Sequence, residues 1–61
     1  MKTKRAIDRE TNKMITCTCE VDDKDQWGKA IWRTEDGKAY ELKYAKLANK
    51  YFFVRYSHYD R

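Results

Sequence analysis

The sequence contains no proline and only two glycines, Gly28 and Gly37. Linkers between domains are typically rich in proline, glycine or serine, so nothing in the composition divides the chain. Its 61 residues are also few, and a chain of this length buries only about 60% of the surface that its unfolded form exposes. We therefore expect one small β-rich domain over residues 1–61, with a narrow margin of stability.

Long hydrophobic runs are missing as well. No apolar stretch comes near the 18 or more residues that a membrane-spanning helix needs, and no basic start is followed by the apolar segment of a secretory signal. Charged residues make up 39% of the chain, and its mean hydropathy is -1.10. These features predict a cytoplasmic protein with no membrane partner.

Residues for catalysis and metal binding are scarce. His58 is the only histidine, its neighbour Ser57 is predicted to lie on the opposite face of a strand, and there is no glycine-rich phosphate loop. A closed zinc site needs about four ligands, whereas only His58 could join the two cysteines. We expect a protein that is not an enzyme and that uses no metal or cofactor.

The two cysteines, Cys17 and Cys19, lie in a segment where polar and apolar residues alternate. This alternation over 14–21 is the clearest strand signal in the chain. Side chains two apart in a strand point to the same side without disulfide geometry. We predict two reduced, unligated thiols on a buried strand face, since free cysteine is among the most buried residue types.

Turn signals place further strands around this one. A polar turn at 9–13 would join a strand at 3–8 to the strand at 14–21, and an acidic loop at 22–28 would follow. A second hairpin would pair 29–34 with 38–44.

The loop at Gly37 decides which side chains of the second hairpin face the core. A three-residue loop with Gly37 in the left-handed region sets Trp32 opposite Tyr40 and Ala30 opposite Leu42, which keeps the apolar residues together. A shift by one residue would send them to water. The residues then predicted to face outward are Lys29, Ile31, Arg33, Ala39, Glu41 and Lys43.

The segment 39–50 fits two structures. Its aromatic and aliphatic residues recur at helical spacing, which would give one helix over 39–50. The alternation of Tyr40, Leu42 and Tyr44 instead favours a strand to about residue 44, followed by a short helical or 3₁₀ turn at 46–49.

A last strand is predicted at 51–59, with aromatic residues on both faces. One face contains Phe52, Val54, Tyr56 and His58, and its first three residues are predicted to be buried, with His58 partly exposed. The opposite face, predicted to be outward, contains Tyr51, Phe53, Arg55, Ser57 and Tyr59. An aromatic outer face needs a cover, which could be barrel closure, a partner protein or stacked bases.

Together these elements predict an all-β fold, a five-stranded antiparallel meander curled into a small, partly open barrel of SH3-like or OB-like type. An α+β fold with one helix at about 39–50 is the alternative. No RNP motif, cold-shock signature or zinc ribbon is present, so the sequence indicates no family.

Positive charge and rings concentrate in residues 38–61. This segment has six lysines or arginines against two carboxylates and seven of the nine aromatic residues, whereas residues 1–37 have balanced charge. Rings interleaved with cations are typical of surfaces that bind phosphates and bases. The same rings are also what a small β domain needs for its core.

Two functions fit this surface. The first is a non-enzymatic module for single-stranded DNA or RNA, in which lysines and an arginine contact phosphates while rings stack on bases. The residues predicted to form this site are Lys43, Lys46, Lys50, Tyr51, Phe53, Arg55 and Tyr59. The alternative is a small protein-binding or inhibitor module that uses the same aromatic surface, because tyrosine, tryptophan and arginine are also enriched at protein interfaces. Self-association is a variant of this alternative.

Overall fold

The computed structural model describes all 61 residues, which form a five-stranded β-barrel. The strands are β1 (Lys2–Asp8), β2 (Lys13–Cys19), β3 (Trp32–Arg33), β4 (Ala39–Ala45) and β5 (Lys50–Arg55), and a 3₁₀ helix follows at Ser57–Tyr59. Consecutive strands pair antiparallel, and β1 pairs in parallel with β5 to close the barrel. The predicted all-β barrel is confirmed, and 39–50 is not a helix.

Two four-residue turns, 9–12 and 46–49, join β1 to β2 and β4 to β5. Each ends on an asparagine in the left-handed region, Asn12 with φ 61° and Asn49 with φ 52°. Asparagine tolerates this conformation better than most residues with a side chain. The chain thus makes both reversals without proline or glycine.

The predicted register of the second hairpin is confirmed. Trp32 pairs with Tyr40, both are buried, and Gly37 has φ 87°. The strand before the loop is shorter than predicted, because β3 contains only Trp32 and Arg33. Ala30 is exposed and forms a bridge with Lys24, so its predicted position opposite Leu42 is wrong.

The core lies inside the barrel around Phe53, which is fully buried. Its ring centroid is 6.1 Å from that of Trp32 and 6.0 Å from that of Tyr40. The other members of the buried cluster come from β1 and β2 and are Ala6, Cys17 and Cys19.

The two faces of the last strand are therefore the reverse of the prediction. Phe53 points into the core, whereas Phe52 is only partly buried. The reason is the register with β4, in which Leu42 pairs with Phe53, since directly opposed residues share a face of the sheet. The strand also ends at Arg55, before the 3₁₀ helix that contains His58.

Two residues predicted to face outward, Ile31 and Ala39, are buried. The C-terminal segment lies over this part of the sheet, because Arg33, which is directly opposite Ala39, donates to the carbonyl oxygen of Tyr59. The amide of Ile31 donates to the carbonyl oxygen of Asp23 in the acidic loop. Chain segments distant in sequence thus cover a face that a two-stranded hairpin would expose.

We predict that Gly37→Ala lowers the free energy of unfolding by about 1 kcal/mol, because a Cβ is disfavoured in the left-handed region. An added Cβ would also lie 3.4 Å from the carbonyl oxygen of Arg61. Gly28→Ala is the control, since Gly28 has φ 81° and no atom within 4 Å of the added Cβ. Urea denaturation should show a cost for Gly37→Ala at least as large as for Gly28→Ala; a smaller cost would contradict the prediction.

We also predict that Phe53→Ala leaves the chain largely unfolded. Truncating a buried phenylalanine costs about 3 to 5 kcal/mol, and a domain of this length has only about 3 to 9 kcal/mol in total. Phe52→Ala is the matched comparison and should retain a cooperative thermal transition in circular dichroism. The assignment of the core would be wrong if Phe52→Ala were the more damaging change.

Candidate functional site

A pair of exposed rings lies at the end of the β4–β5 hairpin. Tyr44 and Tyr51 are directly opposed and are 47% and 45% exposed. Their ring centroids are 5.0 Å apart, with the ring planes inclined by 59°. The hydroxyl of Tyr44 donates to Oδ1 of Asn49, which holds this ring against the turn. We call Tyr44 and Tyr51 the tyrosine pair.

The tyrosine pair continues the inner face of the barrel past the core. Along β4 the inner residues are Tyr40, Leu42 and Tyr44, and only the last is exposed. The barrel wall therefore ends in an aromatic surface that is about half exposed. The sequence analysis predicted Tyr51 as a site residue but not Tyr44. Pairing the strands across a four-residue turn at 46–49 would have placed Tyr44 opposite Tyr51.

Lys4 joins this site from β1. Its Nζ lies 4.0 Å from the centroid of the Tyr51 ring, a cation–π distance. Its place there depends on the pairing of β1 with β5, which local sequence patterns do not reveal.

Three lysines surround the turn without carboxylate partners. Lys43, Lys46 and Lys50 are exposed, and none of the five ion pairs in the structure includes them. The chain also has no aspartate or glutamate from residue 42 to residue 59. Their charge is therefore available to an external anion.

Three predicted site residues lie elsewhere. Phe53 is fully buried and has no face for stacking. Both outer nitrogens of Arg55 donate to the carboxylate of Asp60 at 2.6 Å, and one also donates to the carbonyl oxygen of Ala39. Tyr59 is partly buried, and its hydroxyl accepts a hydrogen bond from the amide of Gln26. The site therefore retains Lys43, Lys46, Lys50 and Tyr51, and gains Tyr44 and Lys4.

The cysteines are buried on the inner face of β2, as predicted. Burial, followed by the nearby charge of Asp8, raises the pKa of Cys17 to about 11. Burial is also the main reason that the pKa of Cys19 is raised. A thiol with a raised pKa has little thiolate at neutral pH and is a poor nucleophile.

The structure contains no group of three or more histidine, cysteine, aspartate or glutamate side chains that could hold a metal ion. It also has no helix with the length and apolar character required to cross a bilayer.

Comparison of the chain with models of protein families, with curated proteins and with solved structures found no match. The function must therefore be argued from the site itself.

We predict that the folded protein loses stability in acid because of the ion pair between Arg55 and Asp60. The hydrogen bonds from Arg55, and then that from the amide of Ala39, lower the pKa of Asp60 in the folded protein. Because the folded state binds this proton less readily than the unfolded chain, the stabilisation is present above about pH 4 and is lost as the pH falls further. Asp60→Asn should lower the melting temperature at pH 7, and its deficit should shrink toward pH 2.

The control is Asp22→Asn, because Asp22 is exposed and belongs to no ion pair. Melting curves of this variant should follow the unsubstituted protein at each pH. An Asp60→Asn deficit that stayed constant between pH 7 and pH 2 would contradict the proposed linkage.

Proposed function

We propose that this protein is a non-enzymatic module that binds single-stranded DNA or RNA at the end of its β4–β5 hairpin. In this proposal Lys43, Lys46 and Lys50 contact phosphates, and bases stack on the tyrosine pair. One observation carries the proposal: two exposed, adjacent rings lie at the end of a hairpin whose lysines have no carboxylate partner. Lys43, opposite Phe52, lies on the other face of the hairpin from the rings.

The geometry of the rings favours a single strand over a duplex. Their planes are inclined by 59°, so two bases stacked on them would be splayed apart. A duplex keeps its base faces inside its own stack, whereas a single strand can turn successive bases outward onto aromatic side chains. Each stacked base contributes about 1 to 3 kcal/mol.

The lysines favour binding with little sequence preference. A lysine is a flexible point charge that contacts phosphates and carries no base-reading geometry. Lys4, already against the ring of Tyr51, adds a further cation beside the bases. Affinity should thus depend on rings and charge count more than on base identity.

The salt dependence of binding separates the two kinds of contact. For single strands the logarithm of affinity falls with the logarithm of salt concentration with a slope of about -0.7 per neutralised phosphate. Lys46→Ala and Lys50→Ala should each reduce the slope by about 0.7 and weaken binding to all sequences alike. Tyr51→Ala should weaken binding by about 1 to 3 kcal/mol and leave the slope nearly unchanged.

These effects can be measured by fluorescence anisotropy with labelled single-stranded DNA and RNA at several salt concentrations. Lys24→Ala is the matched control, since Lys24 is an exposed lysine outside every ion pair but lies on the acidic loop. It should leave both affinity and slope nearly unchanged. Absence of binding at low salt would refute the proposal.

A protein partner is the second candidate, and the acidic loop offers an observation in its favour. Trp27 is 70% exposed, yet its backbone is held in place because Oδ1 of Asp25 accepts hydrogen bonds from the amides of Trp27 and Lys29. A preorganised, exposed tryptophan is typical of protein interaction hot spots. Binding through Trp27 would respond weakly to salt and would be lost in Trp27→Ala.

A further inference from the structure

A groove of about 400 Å³ lies on the opposite face of the same hairpin. Its walls come from β1 and the turn at 9–12, from the end of β4, from the turn at 46–49 and from the first residues of β5. They include Ile7, Arg9, Ala45, Ala48, Lys50 and Phe52. This volume is within the range of about 300 to 1,000 Å³ typical of small-molecule sites. Because Tyr51 and Phe52 are consecutive in a strand, they present their rings to opposite faces of the hairpin.

Phe52 forms the aromatic part of this groove. It pairs with Ile7 of β1 on one side and with Lys43 of β4 on the other, so its ring has an aliphatic neighbour and a cationic one. Ala45 and Ala48 add only methyl groups, which leaves the space beside the ring open.

Arg9 lies over the ring of Phe52, and its side chain can move outward to admit an aromatic ligand between the two groups. Its guanidinium carbon is 5.4 Å from the ring centroid. A flat base between the two groups needs about 7 Å, twice the ~3.5 Å contact distance between carbon atoms. The side chain of Arg9 is exposed and forms no ion pair, so only its contact with the ring of Phe52 opposes this shift. Its backbone is fixed, since its amide donates to the carbonyl oxygen of Phe53 at 3.0 Å.

We infer that this groove is a nucleotide subsite, in which one base stacks between Phe52 and the guanidinium of Arg9 and its phosphate lies against Lys50. Charge complementarity supports a nucleotide over a neutral aromatic ligand, because the groove has two cations without carboxylate partners. The inference deepens the proposed function and partly rests on it: a strand bound at the tyrosine pair would continue around the turn into the groove, with Lys50 next to both.

Nuclear magnetic resonance of the ¹⁵N-labelled full chain tests the groove directly, with adenosine 5′-monophosphate as the probe and inorganic phosphate as its control. The nucleotide should shift the amide signals of Ile7, Arg9, Ala48 and Phe52, and phosphate should shift them much less. Phe52→Leu should weaken nucleotide binding at least tenfold. Arg9→Ala, a change at an exposed residue that leaves the core intact, should weaken it severalfold, whereas Lys24→Ala, at an exposed lysine outside the groove, should leave it unchanged.

The inference is wrong if the nucleotide leaves these signals in place, if phosphate alone shifts them equally, or if Arg9→Ala binds the nucleotide as well as the parent. The same spectra separate the two proposals. An oligonucleotide that shifts Tyr44 and Tyr51 but not the groove would overturn this inference and support the proposed function. Nucleotide binding in the groove without any oligonucleotide binding would support this inference and refute the proposed function.

Discussion

The register of the β4–β5 hairpin determines both the core and the candidate site. A four-residue turn that ends on Asn49 sets Ala45 opposite Lys50, and every later pair follows from this one. Phe53 consequently enters the core opposite Leu42, while Tyr51 meets Tyr44 beyond it. A shift by one residue would turn Phe53 to solvent and separate the tyrosine pair, because side chains alternate between faces. The core and the candidate site lie at two ends of the same face of the sheet, so a change in the β4–β5 register would disrupt both.

Barrel closure then completes each face of the hairpin with a cation from the N-terminal region. The parallel pairing of β1 with β5 places Lys4 against the ring of Tyr51 and Arg9 over the ring of Phe52. Pairing between the first and last strands is the least local contact in the fold, and it carries a loop-closure cost that local hairpins avoid. Rings from the C-terminal half and cations from the N-terminal half therefore meet only when the barrel has closed, which couples the proposed binding surfaces to the folded state.

The sequence predicted the features that depend on local pattern and missed those that depend on distant contacts. The alternation around Cys17 and the turn at Gly37 sufficed for β2 and for the Trp32–Tyr40 register. The phase of β5 was wrong because residues 51–53 are three consecutive aromatics, so burying either face gives an aromatic core. A four-residue turn at 46–49 pairs residue 45 with residue 50, and extending this pairing along both strands places Phe53 opposite Leu42. This register would have shown which face of β5 is buried. The burial of Ala39 had no local signal, since it comes from a C-terminal segment that returns across the sheet.

Arginine and lysine have different roles in this structure: Arg33 and Arg55 form ion pairs within the fold, whereas the lysines around the turn at 46–49 have no carboxylate partner. Arg33 holds the carboxylate of Asp23 with two nitrogens, and Arg55 does the same with Asp60, which suits a planar group with a fixed fork of donors. These arginines tie the acidic loop and the C-terminal segment to the barrel and are not free for a ligand. The cations left around the turn are lysines, and in the proposed binding mode their flexible stems would follow an irregular phosphate backbone without selecting a sequence. In the proposed binding mode, affinity would come from charge and stacking, and any preference among bases would come from a contact on both faces of a base, such as the one proposed between Arg9 and Phe52.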